Sequence, residues 1–382
     1  MSTPTQTPPK PTPPKVRPPG RERGYRTLDS GGRGMPIGHA MTAILIAFAL
    51  ALLLDAHAML STARSLPLGS TQREIAVDVM TPIADVAGAL RLTRPREAVE
   101  SLLGRHGEGA AGDPFAGIKT IPRTGTAHTK AGAKGHEAIK LPALLAAPTH
   151  THPLRMLVIG DSLAGSFGYP FYTVARATHL MVPAGPVDFQ IDTGLTRADL
   201  YNWPAEIRRD MYHYHPNVLV VVMGLNDDQS IQAPNGQIYS FGTYPWQHEY
   251  ERRLIATMSL GVRLGATVVY VGPPPVRQES RNWHYQTINH LIRAAALGRP
   301  HVVYVNGYQL FQNRHQGYRQ YMRTKSGQLV QIRTDDGIHL QTAGSQLLAH
   351  RAIFQLGAVY RLPWSKGAQA QERATLASYS SR

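Results

Sequence analysis

Met156-Leu157-Val158-Ile159-Gly160-Asp161-Ser162-Leu163 is the stretch on which the reading of this chain turns. Four apolar residues, two of them β-branched, run without a polar interruption. A strand covered on both faces has that pattern, and a strand with one face in water alternates instead. The run stops at a glycine, an acid and a hydroxyl. Outward from it, similar runs recur at 187–191, 218–223, Thr267–Val271 and Val302–Val305. Amphipathic stretches separate them at about 168–180, 204–214, 246–264, 283–298 and 341–357. Strand alternating with helix predicts a parallel sheet with helices on both sides. Ligands of such a sheet sit beyond the carboxyl ends of its strands.

The residues that follow the strands are therefore the informative ones. They are Gly160-Asp161-Ser162-Leu163, Asp192-Thr193-Gly194-Leu195, Gly224-Leu225-Asn226-Asp227 and Gly272-Pro273-Pro274-Pro275. After the fifth strand a loop of about thirty residues ends in Asp335-Asp336-Gly337-Ile338-His339. Ser, Gly, Asn and His at one sheet edge form a set of parts for acyl transfer. A serine hydroxyl is a poor nucleophile until a base takes its proton, and His339 is placed to be that base. An acid three residues before it, on a tight turn, can reach the imidazole Nδ1 and fix its tautomer. Asp336 has that spacing, and Asp335 is one residue off. The tetrahedral intermediate needs preorganised donors. The Ser162 amide, the Gly194 amide and the Asn226 side chain are the candidates.

The chain has no G-x-S-x-G, H-E-x-x-H or P-loop, and no G-x-G-x-x-G follows any of these strands. That argues against an ordinary α/β-hydrolase elbow, a zinc protease, an NTPase and a dehydrogenase. The four blocks resemble those of the SGNH hydrolases, also called GDSL esterases or lipases. Among these the chain is most similar to the membrane-anchored bacterial DUF459-type proteins, whose anchor layout is echoed by Leu54-Asp55-Ala56 and Pro67-Leu68-Gly69. The resemblance implies a three-layer α/β/α sandwich around a five-stranded parallel sheet, flavodoxin-like in plan. It implies Ser162 as nucleophile, Asp336 and His339 as its triad partners, and Ser162, Gly194 and Asn226 as the oxyanion hole. The usual N-x-G of the glycine block is here Asp192-Thr193-Gly194.

The remainder of the 382 residues exceeds one domain at roughly 150 residues apiece. Residues 1–36 read as a disordered, basic, Pro-rich cytoplasmic tail: eight of 29 prolines fall in the first twenty positions. Residues 37–60 read as a transmembrane helix, since 37–54 carries no Asp, Glu, Lys or Arg. Seven basic residues before it predict a cytoplasmic N-terminus and an extracytoplasmic C-terminal domain. A cleaved signal peptide is the alternative, given Ala56-His57-Ala58. Residues 61–104 read as a membrane-proximal helical stalk, 105–153 as a flexible linker, 154–360 as the catalytic domain and 361–382 as a disordered tail.

Forty Lys+Arg against 25 Asp+Glu give a net charge of +15. About half of it sits in the two tails, with no basic run interleaved with aromatics, so no nucleic-acid partner is expected. Cysteine is absent, which removes disulfide scaffolds, thiolate metal sites and cysteine nucleophiles. No cofactor is implied, and no metal is expected at Thr149-His150-Thr151-His152 or at Tyr212-His213-Tyr214-His215. Tyr239, Phe241, Tyr244 and Trp246 follow the Asn226 block, so Tyr244 and Trp246 are candidate sugar-stacking residues, unless Trp246 and Tyr250 start a helix and pack inward. Arg333 either meets an anionic substrate or pairs with Asp335. The expectation is a single-pass membrane protein, partnered by the bilayer through 37–60. It would act as a serine esterase or O-acyltransferase on acylated cell-envelope carbohydrate. A lipase or thioesterase, or a catalytically silent envelope scaffold, are the alternatives.

Overall fold

The computed structural model describes residues 37–90, 112–123, 147–324, 326–360 and 362. The two expected tails otherwise lie outside the described residues, as do 91–111 and 124–146 of the expected stalk and linker.

The parallel sheet is built from β1 (Leu154–Gly160), β2 (Met181–Pro183), β3 (Asp188–Phe189), β4 (Val218–Val222), and then Thr267–Val271 and Val302–Val305. Two small antiparallel hairpins also form. The first pairs β5 (Ile231–Gln232) with β6 (Ile238–Tyr239). The strands Thr267–Val271 and Val302–Val305 are then β7 and β8, and the second hairpin joins β9 (Tyr321–Arg323) to β10 (Leu329–Gln331). The sheet runs β2, β1, β4, β7, β8, all parallel, with β3 also on β1. β2 pairs with the start of β1 and β3 with its end, so five positions are filled by six strands. The expected strand at 187–191 is shortened to Asp188–Phe189, and Met181–Pro183 forms a further strand that the expectation lacked; the two stay separate because Pro183 and Pro186 lack the amide a ladder needs.

Among the described residues, seven helices come first. They are α1 (Ile37–Leu54), α2 (Ala56–Ser65), α3 (Thr71–Ala89), α4 (Ser162–Ala177), α5 (Trp203–Tyr214), α6 (Tyr244–Arg263) and α7 (Asn282–Ala296). A short α8 (Gly307–Phe311) and a long α9 (Thr342–Tyr360) follow. α4 and α9 pack together on one face, and α6 packs between α5 and α7 on the other. That gives the three layers expected. β4 and β7 are buried at every position, which is why they read as unbroken Val-rich runs. α4 starts at Ser162, six residues before the expected start. Asp161 caps it by accepting from Leu163 N at 2.9 Å, and Gly165 and Gly168 within it had masked the helical pattern.

The chain divides into two compact units at Ala51/Leu52. α1 has 18 residues. Among the described residues no single helix is long and apolar enough to cross a membrane. Gly38–Leu54 and Ala58–Ser65, bent by 66° from each other, meet that criterion as a pair.

In the second unit, α2 and α3 form a hairpin with its own small core of Ala56, Leu60, Met80, Ala84 and Ala87. Ser70 caps α3 by accepting from Arg73 N at 3.2 Å. Residues 112–123, within the stretch expected as linker, belong to the sheet domain. Phe115 and Ile121 are buried in its core, and Ile121 N donates to Ser259 Oγ at 3.0 Å.

Candidate active site

β1 and β4 are neighbours whose connections leave the sheet in opposite directions, so a crevice opens beyond their carboxyl ends. Gly160 and Val222 are in register there. Gly160 has φ +151°, and a Cβ on it would lie 1.9 Å from Val222 O. Only glycine fits, and the turn it permits throws Asp161 and Ser162 over the strand ends.

Ser162 Oγ lies 2.9 Å from His339 Nε2. His339 Nδ1 lies 2.7 Å from Asp336 Oδ2. An ionised carboxylate only accepts, so Nδ1 carries the proton and Nε2 offers its lone pair to the serine O–H. Asp336 Oδ1 accepts from Thr334 Oγ1 at 2.5 Å, from Ile338 N at 2.7 Å and from His339 N at 3.0 Å. Burial pushes this carboxyl up. The bonds from Thr334, the His339 ring and the two amides outweigh that and hold it well below the usual carboxylate range. Asp335 points elsewhere: its Oδ1 accepts from Gln320 Nε2 at 2.8 Å and Gln331 Nε2 at 3.0 Å. The D-x-x-H spacing thus picks out the acid that meets the imidazole.

The oxyanion candidates are tied together by two buried carboxylates. Asp161 Oδ2 accepts from Gly224 N at 3.1 Å and Leu225 N at 3.0 Å, fastening the serine turn to the turn that carries Asn226. Burial pushes the Asp161 carboxyl up to about 7, with the three amides it accepts from pulling down and Asp227 pushing up. Asp227 Oδ1 accepts from Thr196 N at 2.9 Å and Thr196 Oγ1 at 3.0 Å, while Oδ2 accepts from Tyr250 Oη at 2.8 Å. A Cβ on Gly194 would lie 2.2 Å from Asp227 Oδ1, so the glycine is required by this carboxylate. Asn226 Nδ2 donates to Thr193 O at 3.1 Å, which leaves its second N–H for another acceptor. Among the described residues, neither Ser162 N nor Gly194 N has a hydrogen-bond acceptor. Among the described residues, these two amides and one N–H of Asn226 are therefore donors without an acceptor.

The candidate substrate residues fare differently. Trp246 is buried, donates from Nε1 to Gln229 O at 2.7 Å and stacks on Tyr250 at 4.8 Å between ring centroids. It is a core residue, the inward-packing alternative, because α6 begins at Tyr244 and turns that face to the sheet. Tyr244 is 81% exposed. Arg333 neither meets solvent nor pairs with Asp335. It is buried, lies over the Tyr318 ring and donates to Pro275 O at 2.6 Å, to His339 O at 3.2 Å and to Ile338 O. The antiparallel bridge between Arg333 and Leu340 turns the side chain inward, where it clamps the carbonyls beside His339.

Thr334, Asp161, Asp227 and Arg333 were not assigned these roles from sequence. Asp161 and Asp227 stand inside the quoted blocks, and that position was their one signal. The carboxylates of Asp188, Glu206 and Asp210 approach within 4.8 Å of one another. Arg209 Nη2 lies 3.4, 2.5 and 3.3 Å from the three, so the group holds a guanidinium as its counter-cation.

The family model described as "Protein of unknown function (DUF459)" matches residues 155–355, just over half of the chain. The chain belongs to the DUF459 family. No curated protein matches it. Among solved structures, this DUF459 protein is similar to the C-terminal catalytic domain of Streptococcus pneumoniae peptidoglycan O-acetyltransferase A (14% identity, 55% of this chain, 97% of that one, TM-score 0.35). It is similar to a carbohydrate esterase family 3 protein from Talaromyces cellulolyticus (13%, 55% and 99%, TM-score 0.35). A carbohydrate acetylesterase family member from Sinorhizobium meliloti is a third (14%, 55% and 100%, TM-score 0.35). Likenesses this faint carry no activity over to the DUF459 chain.

Proposed function

We propose that this DUF459 protein is a serine esterase or O-acyltransferase that works through an acyl-enzyme on Ser162. The unbroken line Ser162 Oγ, His339 Nε2, His339 Nδ1, Asp336 Oδ2 carries the reading, at 2.9 and 2.7 Å for its two hydrogen bonds. His339 Nε2 takes the Ser162 proton as Oγ attacks the acyl carbonyl. The resulting oxyanion meets the amides of Ser162 and Gly194 and the Asn226 side chain. His339 then gives its proton to the leaving alkoxide, and the acyl group stays on Oγ. Water, activated by the same imidazole, completes hydrolysis; a sugar hydroxyl in its place completes transfer. Asp336 stays ionised throughout and steadies the imidazolium.

The physiological substrate we propose is acylated carbohydrate of the cell envelope, reached from a bilayer anchor at 37–60 with the catalytic domain outside. Trp283 supports a sugar ligand better than Trp246 does. It is 52% exposed, and it is propped edge-on by Phe241 and His284 at 5.2 and 4.0 Å between centroids. His284 Nδ1 in turn lies 3.0 Å from Asp228, two residues past Asn226. Acyl chains as substrate are the second reading, favoured by the exposed apolar surface of Tyr169, Phe189 and Ile191 along the serine helix.

A serine-reactive fluorophosphonate tests the chemistry. Wild type should be labelled and Ser162→Ala should not; equal labelling of both would remove Ser162 as nucleophile. Turnover rising with chain length on model esters would favour the acyl-chain reading. Protease treatment of intact spheroplasts tests the topology: the catalytic domain should be digested, and digestion only after lysis would sink the anchor reading.

A further inference from the structure

The α2–α3 hairpin lies outside the span matched by the family model, yet it touches the loops that carry the oxyanion donors. Arg197, three residues past Gly194, is the link. Its side chain is 1% exposed. Nε and Nη2 grip both oxygens of Asp199 at 2.9 Å each. The remaining donors reach Arg64 O, Ser65 O at 3.3 Å and Leu66 O at 3.4 Å. Those are carbonyls at the C-terminal end of α2, where a helix leaves acceptors unpaired and carries partial negative charge. Arg73 of α3 adds a bond to Asp199 at 3.4 Å.

Docking the hairpin would need no more than that. Arg197 Nη1 makes one further contact, to Gln229 Oε1 at 3.4 Å. Gln229 Nε2 donates to Asn226 O at 2.7 Å, and Gln229 O accepts from the buried Trp246 indole. A continuous path therefore runs from the end of α2 through Arg197 and Gln229 to the backbone of Asn226. The same Arg197 lies on the loop whose Thr196 is held by Asp227, next to Asn226 in sequence. The hairpin turn also reaches the β5–β6 hairpin, where a Cβ on Gly69 would meet Ile238 Cδ1 at 3.5 Å.

We propose that the α2–α3 hairpin is part of the catalytic unit, and that Arg197 and Gln229 are positioning residues which set Asn226 for the oxyanion. This rests on the role of Asn226 proposed above. A guanidinium forked between a carboxylate, three carbonyls and an amide is a geometry lysine cannot reproduce. Loosening it lets the 224–229 turn move, and a donor displaced by a fraction of an ångström loses its worth in the transition state while substrate binding is little changed.

The test uses the full chain and hydrolysis of 4-nitrophenyl acetate. Gln229→Met and Arg197→Lys are each made in wild type and in Asn226→Ala. Gln229→Met keeps the side chain's length and Trp246's acceptor, so it folds even where Arg197→Lys fails to. Each should lower kcat by about tenfold with KM nearly constant, and should add less than about twofold in the Asn226→Ala background, because neighbours acting through one group are not additive. A loss of the same factor in both backgrounds, or a wild-type-like kcat in Gln229→Met, would overturn the relay alone. Loss of Ser162-dependent turnover in the wild type itself would overturn the relay and the proposed function together.

Discussion

The two arms of the proposed site are built in opposite ways. The acid–base arm is local: every bond that holds the Asp336 carboxylate comes from residues 334–339, and its side chain is 44% exposed. The oxyanion arm is assembled from distant segments. Asp161 and Asp227 are fully buried, and their partners come from 163, 196, 224, 225 and 250. The contrast shows in their protonation. Hydrogen bonds hold the exposed carboxyl down, and burial pushes the two sequestered ones up. An arm held by its own turn can lose a side chain without loosening the sheet. An arm that stitches strand ends together cannot.

Asp336→Asn is the sharpest way to break the comparison. It should cost about 10⁴ in turnover, since the imidazole then takes the wrong tautomer, and leave the melting temperature close to wild type. A matching fall in melting temperature would mean the turn is a structural element after all. Asn226→Ala should cost about 10²–10³ in turnover, the usual worth of one oxyanion donor. A loss under about threefold on a small acetyl ester would mark Asn226 as a turn residue. Asp335→Asn should stay within about threefold of wild type, because an amide oxygen still accepts from Gln320 and Gln331. A large loss there, with Asp336→Asn nearly normal, would reverse the assignment.

The smallest effect concerns pH and stability. In the unfolded chain Asp161 ionises near the ordinary value of about 4. In the fold, burial raises it to about 7. Between those limits the folded state binds more protons than the unfolded one, so the contribution of Asp161 to stability is full below about pH 4 and is lost as pH rises towards 7. Thermal melts across that window should therefore show Asp161→Asn gaining on wild type as pH increases. Parallel curves would show that the carboxyl is ionised in the fold as well.

Much of the proposed site's geometry was legible because it is written in local spacing. Asp336 and His339 are three residues apart on one turn, and Ser162, Gly194 and Asn226 each follow an apolar run that ends at a glycine-bearing turn. Strands β1, β4, β7 and β8 were legible for the same reason, whereas β2 was not. What escaped depends on which segments meet. Nothing near Arg197 in sequence announces the end of α2, more than 130 residues earlier. Phe115 and Ile121 sit in a Gly- and Thr-rich stretch whose composition resembles linker, and only the groove beside α6 makes them core. Arg333 was read against charged neighbours, whereas its partners are carbonyls, which sequence does not mark. Trp246 faces inward because α6 starts two residues before it.

The edge of the sheet beside β1 has a further consequence, for how the protein behaves in company. A long, flat, unpaired edge invites a second chain to add its own strand, and that is a route to aggregation. Here the edge is two fragments of three and two residues, Met181–Pro183 and Asp188–Phe189. Between them lie Ala184, Gly185, Pro186 and Val187, and Pro183 closes the first fragment with no amide to offer. No stretch on that side presents enough consecutive donors and acceptors to template a neighbour. The irregularity that divides this edge also denies it to a second chain's strand.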